Sequence, residues 1–120
     1  MISDELDEVF RETRERGWDG FGGFPTSEKS LALAKSSLLA LGATTITPTA
    51  GAEPDGSLTL EWYAGRGRSL TLSFSQSSVI HFAILDGEFR DCGSAAFRGI
   101  VPTRITEHIR RICRPSTAPS

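Results

Sequence analysis

Residues 57–89, SLTLEWYAGRGRSLTLSFSQSSVIHFAILDGEF, change the apolar period of the chain from helical to alternating, and that change decides the fold. Parity sets the register. If Gly65, Arg66 and Gly67 form a three-residue turn with Gly67 left-handed, then Leu58, Leu60 and Trp62 face Phe74, Leu72 and Leu70. A two-residue turn would set apolar against polar. A loop of Gln76, Ser77 and Ser78 pairs Leu72 with Phe82 and Leu70 with Ile84, which carries the apolar face onto a third strand. The predicted core face is Leu58, Leu60, Trp62, Leu70, Leu72, Phe74, Ile80, Phe82 and Ile84.

Outward from this stretch, Asp86-Gly87 predicts a tight hairpin that places Phe89 opposite Ile84 and adds a short strand ending before Gly93. Upstream, TTITPTA over 44–50 supplies an edge strand, because Pro48 cannot donate to a central ladder. The expected sheet is an antiparallel meander of four or five strands.

Three helices are expected beside it. SDELDEVFRETRER has Ser3 as a cap, acids at its start, Arg14 and Arg16 at its end, and a single stripe of Leu6, Val9 and Phe10. A second helix starts near Thr26 or Ser27 and stops at Gly42, with Leu31, Ala34, Leu38 and Leu41 facing the sheet and Glu28, Lys29, Ser36 and Ser37 facing water. A third spans about Thr103–Cys113, with Pro102 in its first turn and Ile105, Ile109 and Ile112 on one stripe. The fold class is α+β, one domain over 1–113 with helices on one sheet face, followed by a disordered tail over 114–120.

Between the first two helices lies GWDGFGGFP, residues 17–25. Glycines leading into a helix can hold a phosphate on free backbone N–H groups. Dinucleotide and P-loop fingerprints, however, follow a strand, and this loop follows a helix and supplies only Lys29 downstream. The structural reading is a lock: Trp18, Phe21 and Phe24 bury aromatic area, Asp19 caps the turn, and Trp18 is the peg between the helices and the core, worth several kcal/mol, about 3 to 5.

The loop, the leucine- and alanine-rich helix after it, and EPDGSLTLEW resemble a family of small, uncharacterised bacterial proteins. Its pattern falls here on Trp18, Asp19, Gly20, Phe21 and Gly22, on Asp55 and Gly56, and on Leu60, Glu61 and Trp62. The resemblance covers about residues 17–112 and implies a fold, without an activity. The acidic leader and the Arg-rich HIRRICRP depart from the pattern.

Composition narrows the function classes. With 120 residues, 38% of them hydrophobic and 23% charged, the chain has the make-up of one globular domain. A net charge of −2 lowers the expectation of non-specific nucleic-acid binding without abolishing it. Cys92 and Cys113 lack the spacing of a disulfide framework, a zinc site or a redox pair, and the acidic start lacks the pattern of a secretory signal. Free thiols, a cytoplasmic location and no membrane association are expected.

Chemistry-bearing residues are few. The histidines, His81 and His108, show no metal-ligand spacing, so no metal or cofactor is expected. Parity sets Ser73 opposite His81 near Glu61, but a serine on a regular strand lacks the sharp turn and oxyanion donors of a nucleophile. Cys92 has no activating context and reads as a small hydrophobe. The polar sheet face offers Thr59, Glu61, Tyr63, Ser69, Thr71, Ser73, His81 and Ala83, with Val79 and Leu85 as an apolar patch at the strand ends. Such a face is ordinarily solvated; its functional reading is partner binding.

The start of the chain is acidic, whereas Arg98, Arg104, Arg110, Arg111 and Arg114 meet only Glu107 near its end. The bland expectation is that the end helices pair with each other or are solvated. The candidate binding residues are Glu61, Tyr63, Thr71, His81, Arg110 and Arg111. The expected function is a non-enzymatic protein-binding accessory module of a bacterial operon or mobile element, similar in role to an antitoxin, immunity protein or inhibitor. The alternatives are nucleic-acid contact through the Arg-rich helix, or a small-molecule binder or hydrolase using Glu61, His81 and Cys92.

Overall fold

A computed structural model describes residues 2–15, 17, 18, 20 and 22–114. Among them the order is α1 (Ile2–Glu12), α2 (Glu28–Leu41), β1 (Thr49–Ala52), β2 (Leu58–Gly65), β3 (Arg68–Phe74), β4 (Val79–Asp86), β5 (Phe89–Ala96) and α3 (Thr103–Cys113). The strands form one antiparallel meander in sequence order. Leu58, Leu60 and Trp62 face Phe74, Leu72 and Leu70, and Leu72 and Leu70 face Phe82 and Ile84, as parity requires. Gly65 pairs with Arg68 and the register shifts between Tyr63 and Gly65, so the three-residue turn is realised as a bulge followed by a tight turn with Gly67 at φ 74°. All nine predicted core-face residues are buried.

The last hairpin differs from expectation. Asp86 pairs with Phe89, so the turn is Gly87-Glu88, and Ile84 faces Asp91 instead of Phe89. β5 also runs through Gly93 to Ala96. Gly93 admits the Phe82 ring of the neighbouring strand: a Cβ there would fall 2.9 Å from Phe82 Cζ. It marks a close approach and not a strand end. Upstream, β1 begins just after Pro48, so the proline precedes the ladder instead of sitting in it.

Leu6 of α1, Leu33 and Ala34 of α2, and Ile105, Ile109 and Ile112 of α3 join the inner sheet residues in one core. α2 is rotated from its expected face. Ser30 and Ser37 are fully buried with Leu33 and Ala34, while Leu31, Leu38 and Leu41 are only half-buried. Small residues at the contact let the helix approach the sheet closely. Ser30 uses that approach: its hydroxyl donates to the Phe74 carbonyl and accepts from the Leu58 N–H at 2.9 Å, tying the start of β2 to the end of β3. Ser27 caps α2 by accepting from the Ser30 N–H. Pro102 is the N-cap of α3, one place before its expected position, and its carbonyl accepts from Ile105 and Thr106.

The glycine-rich loop is closed on itself. Thr13 and Thr26 share a hydroxyl hydrogen bond of 2.7 Å at its base, and the Gly17 N–H donates to Gly23 across it at 2.6 Å. Trp18 is half-buried outside the core cluster and its indole N–H donates to the Phe24 carbonyl at 2.7 Å; the Phe24 ring is 55% exposed. Trp18 is therefore no peg in the core. The loop reaches the body through its backbone, where the Phe24 N–H donates to Pro54 and Gly56 lies so close to the Pro25 carbonyl that a Cβ would fall 2.9 Å from it. Asp19, Phe21, Arg16 and the tail from 115 lie outside the described residues.

Candidate functional site

Alternation along each strand sends one set of side chains into the core and the other to the face that no helix covers among the described residues. Register arranges this second set in rows across the sheet. One row holds Gly51, Thr59, Ser73, His81 and Ser94; the next holds Thr49, Glu61, Thr71, Ala83 and Cys92; a third holds Tyr63, Ser69, Leu85 and Arg90. Glu61 and Thr71 are thus direct neighbours, His81 lies one row away towards one end, and Tyr63, 60% exposed, lies one row away towards the other. The predicted binding residues of the sheet share one surface.

That surface carries few internal bonds. Ser73 donates to the Glu53 carboxylate, and His81 Nδ1 lies 3.1 Å from Ser94 Oγ. Cys92 is exposed, and with Ala83, Leu85 and Arg90 it lines a shallow open depression. Among the described residues no three His, Cys, Asp or Glu side chains converge as a metal-ligating group.

Arg110 and Arg111 sit elsewhere, on α3, across the core from this face. Arg110 is exposed beside Thr44 and Thr45. Arg111 is engaged internally: its Nε donates to Asp86 Oδ2 at 2.9 Å and its guanidinium lies 3.8 Å from the Phe89 ring centroid.

Asp86 also accepts from Arg68 Nε at 2.9 Å, and Arg68 reaches the carbonyls of Ile112 and Arg114 at the end of α3. Two turns earlier, Asp91 accepts from Arg104 at 2.7 Å and lies 2.8 Å from His108 Nε2. The His108 ring packs at a tilt against Phe82 and Phe89. Burial pushes the Asp86 pKa up, but hydrogen bonds and charge from Arg68 and Arg111 outweigh it and hold the carboxyl below its ordinary value. Hydrogen bonds from Arg104 and His108 do the same for Asp91. Arg104 and Arg111 of α3 therefore find their carboxylates in the last hairpin and not in the acidic α1, whose Asp7 pairs with Lys35 of α2.

This cluster escaped sequence reasoning, although parity held the signal. Asp86 continues the inward series Ile80, Phe82, Ile84, and a two-residue turn puts Phe89 and Asp91 on the same side, facing the arginines of the last helix. It clamps α3 to the sheet and leaves the opposite face uncommitted.

Comparison with protein-family models, curated proteins and solved structures returned no match. Among the described residues, no helix is long and apolar enough to cross a membrane.

Proposed function

We propose that the protein is a non-enzymatic binding module that docks a protein partner on its open sheet face, in the manner of a bacterial accessory protein such as an antitoxin, immunity protein or inhibitor. The observation that carries this reading is the one-sided architecture: α1, α2 and α3 all contribute to the core on one face, and the other presents an ordered grid of mostly short side chains. Five strands and about seven residues of strand length give roughly 500–600 Å², about two thirds to three quarters of the roughly 800 Å² that one partner contributes to an ordinary protein interface. Short side chains lose little rotamer freedom on docking. Tyr63 supplies an aromatic anchor, with Glu61, His81 and Arg90 as polar determinants around it.

Small ligands are held in concave sites that bury most of their surface, and this face is open. For nucleic acid, Arg104 and Arg111 are already occupied by Asp91 and Asp86, so Arg110 is the exposed arginine of α3 outside these two pairs.

The test is affinity capture from the native host with wild type, with the face variant Thr71→Arg/Ala83→Arg, and with Arg110→Ala. The reading predicts one stoichiometric protein retained by wild type and Arg110→Ala at low and high salt, and lost by the face variant. A partner indifferent to Thr71→Arg/Ala83→Arg, or nucleic acid released by salt and lost with Arg110→Ala, overturns it.

A further inference from the structure

Among the described residues no strand pairs with the outer edge of β5, and the residues along it are complementary to themselves. β5 is the last strand of the sheet, and the Phe97 N–H donates to the Ser78 carbonyl, which fixes the alternation of the ladder. By that alternation Phe89, Asp91, Gly93 and Ala95 bond to β4, while the N–H and C=O groups of Arg90, Cys92, Ser94 and Ala96 point away from it. Natural edges are ordinarily blunted by lysine, proline, a bulge or a covering element. Here the strand is eight residues long, contains neither proline nor lysine, and pairs with β4 without a register shift, and its inward charge, Asp91, is already paired with Arg104.

A second feature sets β5 apart. The nine apolar core-face residues of β2, β3 and β4 are buried, whereas Phe89, Gly93 and Ala95 are only half-buried, as is Phe97 just beyond the strand; Ile100, farther along the chain, is 79% exposed. Apolar side chains on the helix-bearing side thus continue out to the edge, where Phe89 lies beneath the Arg111 guanidinium and beside His108 and keeps part of its surface exposed.

We propose that β5 pairs antiparallel with β5 of a second copy of this chain, about a two-fold axis through Gly93, joining the two sheets into one. Only residues whose backbone groups both point outward can exchange bonds, so the axis must pass through a residue. Placed at Gly93, it pairs Arg90 with Ala96, and Cys92 with Ser94, in both directions, giving about eight inter-chain hydrogen bonds and satisfying every outward group of the strand. An axis one residue earlier would draw Glu88 of the turn into the ladder and lose bonds. On the helix-bearing side, glycine meets glycine at the axis, Asp91 meets Ala95, and Phe89 meets Phe97, an aromatic cross-strand pair at each end of the interface. No like charges face each other. The pairing is independent of the docking face and would extend it across both copies.

The register makes the test sharp. The Ser94 N–H is not used by β4, so Ser94→Pro removes an inter-chain donor while leaving the β4–β5 ladder whole. Sedimentation equilibrium is expected to give a dimer for wild type at micromolar concentration and a monomer for Ser94→Pro with an unchanged far-ultraviolet circular dichroism spectrum. In a Cys113→Ser background, Ser94→Cys puts the Cys92 thiol opposite the introduced thiol of the other copy at about 5.5 Å between Cα atoms, within disulfide reach, whereas Cys92 alone lies too far from its own mate. Mild oxidation should cross-link the Ser94→Cys variant into a dimer on a non-reducing gel and leave its parent unlinked. A monomeric wild type, a Ser94→Pro protein that stays dimeric, or a Ser94→Cys variant that does not cross-link overturns the proposal. If Ser94→Pro fails to fold, the cross-link decides.

Discussion

The two tryptophans of this chain sit in opposite situations. Trp62 is fully buried on β2 between Leu60 and Leu70, and its indole N–H donates to Thr44 Oγ1 at 3.2 Å. Trp18 stands in the glycine-rich loop, half-buried, and its indole N–H closes the loop on the Phe24 carbonyl. One ring is held by the whole molecule, the other by its own loop. An aromatic residue between glycines is conspicuous in a sequence, but burial depends on what the fold brings against it. For Trp62 the strand parity supplies that information; for Trp18 nothing local does.

The largest expected effect follows from the first ring. Trp62→Ala removes a fully enclosed side chain from a core fed by α1, α2 and α3, and should cost about 3–5 kcal/mol. Urea unfolding followed by circular dichroism measures it. A cost under about 1 kcal/mol would mean that the centre of the sheet face is not packed as described.

A smaller effect is expected where α2 meets the sheet. Ser30→Ala leaves the Leu58 N–H without its buried partner and removes the donor to Phe74, which should cost about 1–3 kcal/mol. The same unfolding assay reads it, and a neutral result would show that α2 is held by its apolar contacts without help from Ser30.

Ser30 also shows where the sequence stopped being legible. Alternation and turn length gave the strands and every apolar partner from Leu58 to Ile84, the exception being the bulge that pairs Gly65 with Arg68, because a one-residue slip would have turned apolar side chains to water. A helix has no such penalty for a rotation that buries serine beside alanine, so Leu31, Leu38 and Leu41, expected at the centre of the contact, flank it half-buried while Ser30, Leu33, Ala34 and Ser37 occupy its centre. Charge was misleading in a related way. The arginines near the end looked free because their partners, Asp86 and Asp91, lie at least 13 residues away in the chain and depend on the last hairpin's register. The open face, by contrast, was readable from the same parity as the core: Glu61, Thr71 and His81 are outward for the reason that Leu60, Leu72 and Phe82 are inward.

The smallest expected effect returns to the loop. Trp18→Ala removes one hydrogen bond and a half-exposed ring, while the Thr13–Thr26 base, the Gly17–Gly23 bond and the Phe24–Pro54 bond all remain. The cost should be about 1 kcal/mol or less, the scale of a single net hydrogen bond, and several-fold below Trp62→Ala in the same unfolding experiment. The ratio of the two is more informative than either value. Near-equal losses would mean that the loop supports the core through Trp18 after all and that the two rings differ in exposure but not in role. A clear separation places the loop outside the stabilising core, free to vary in side chain without unfolding the sheet that carries the docking face.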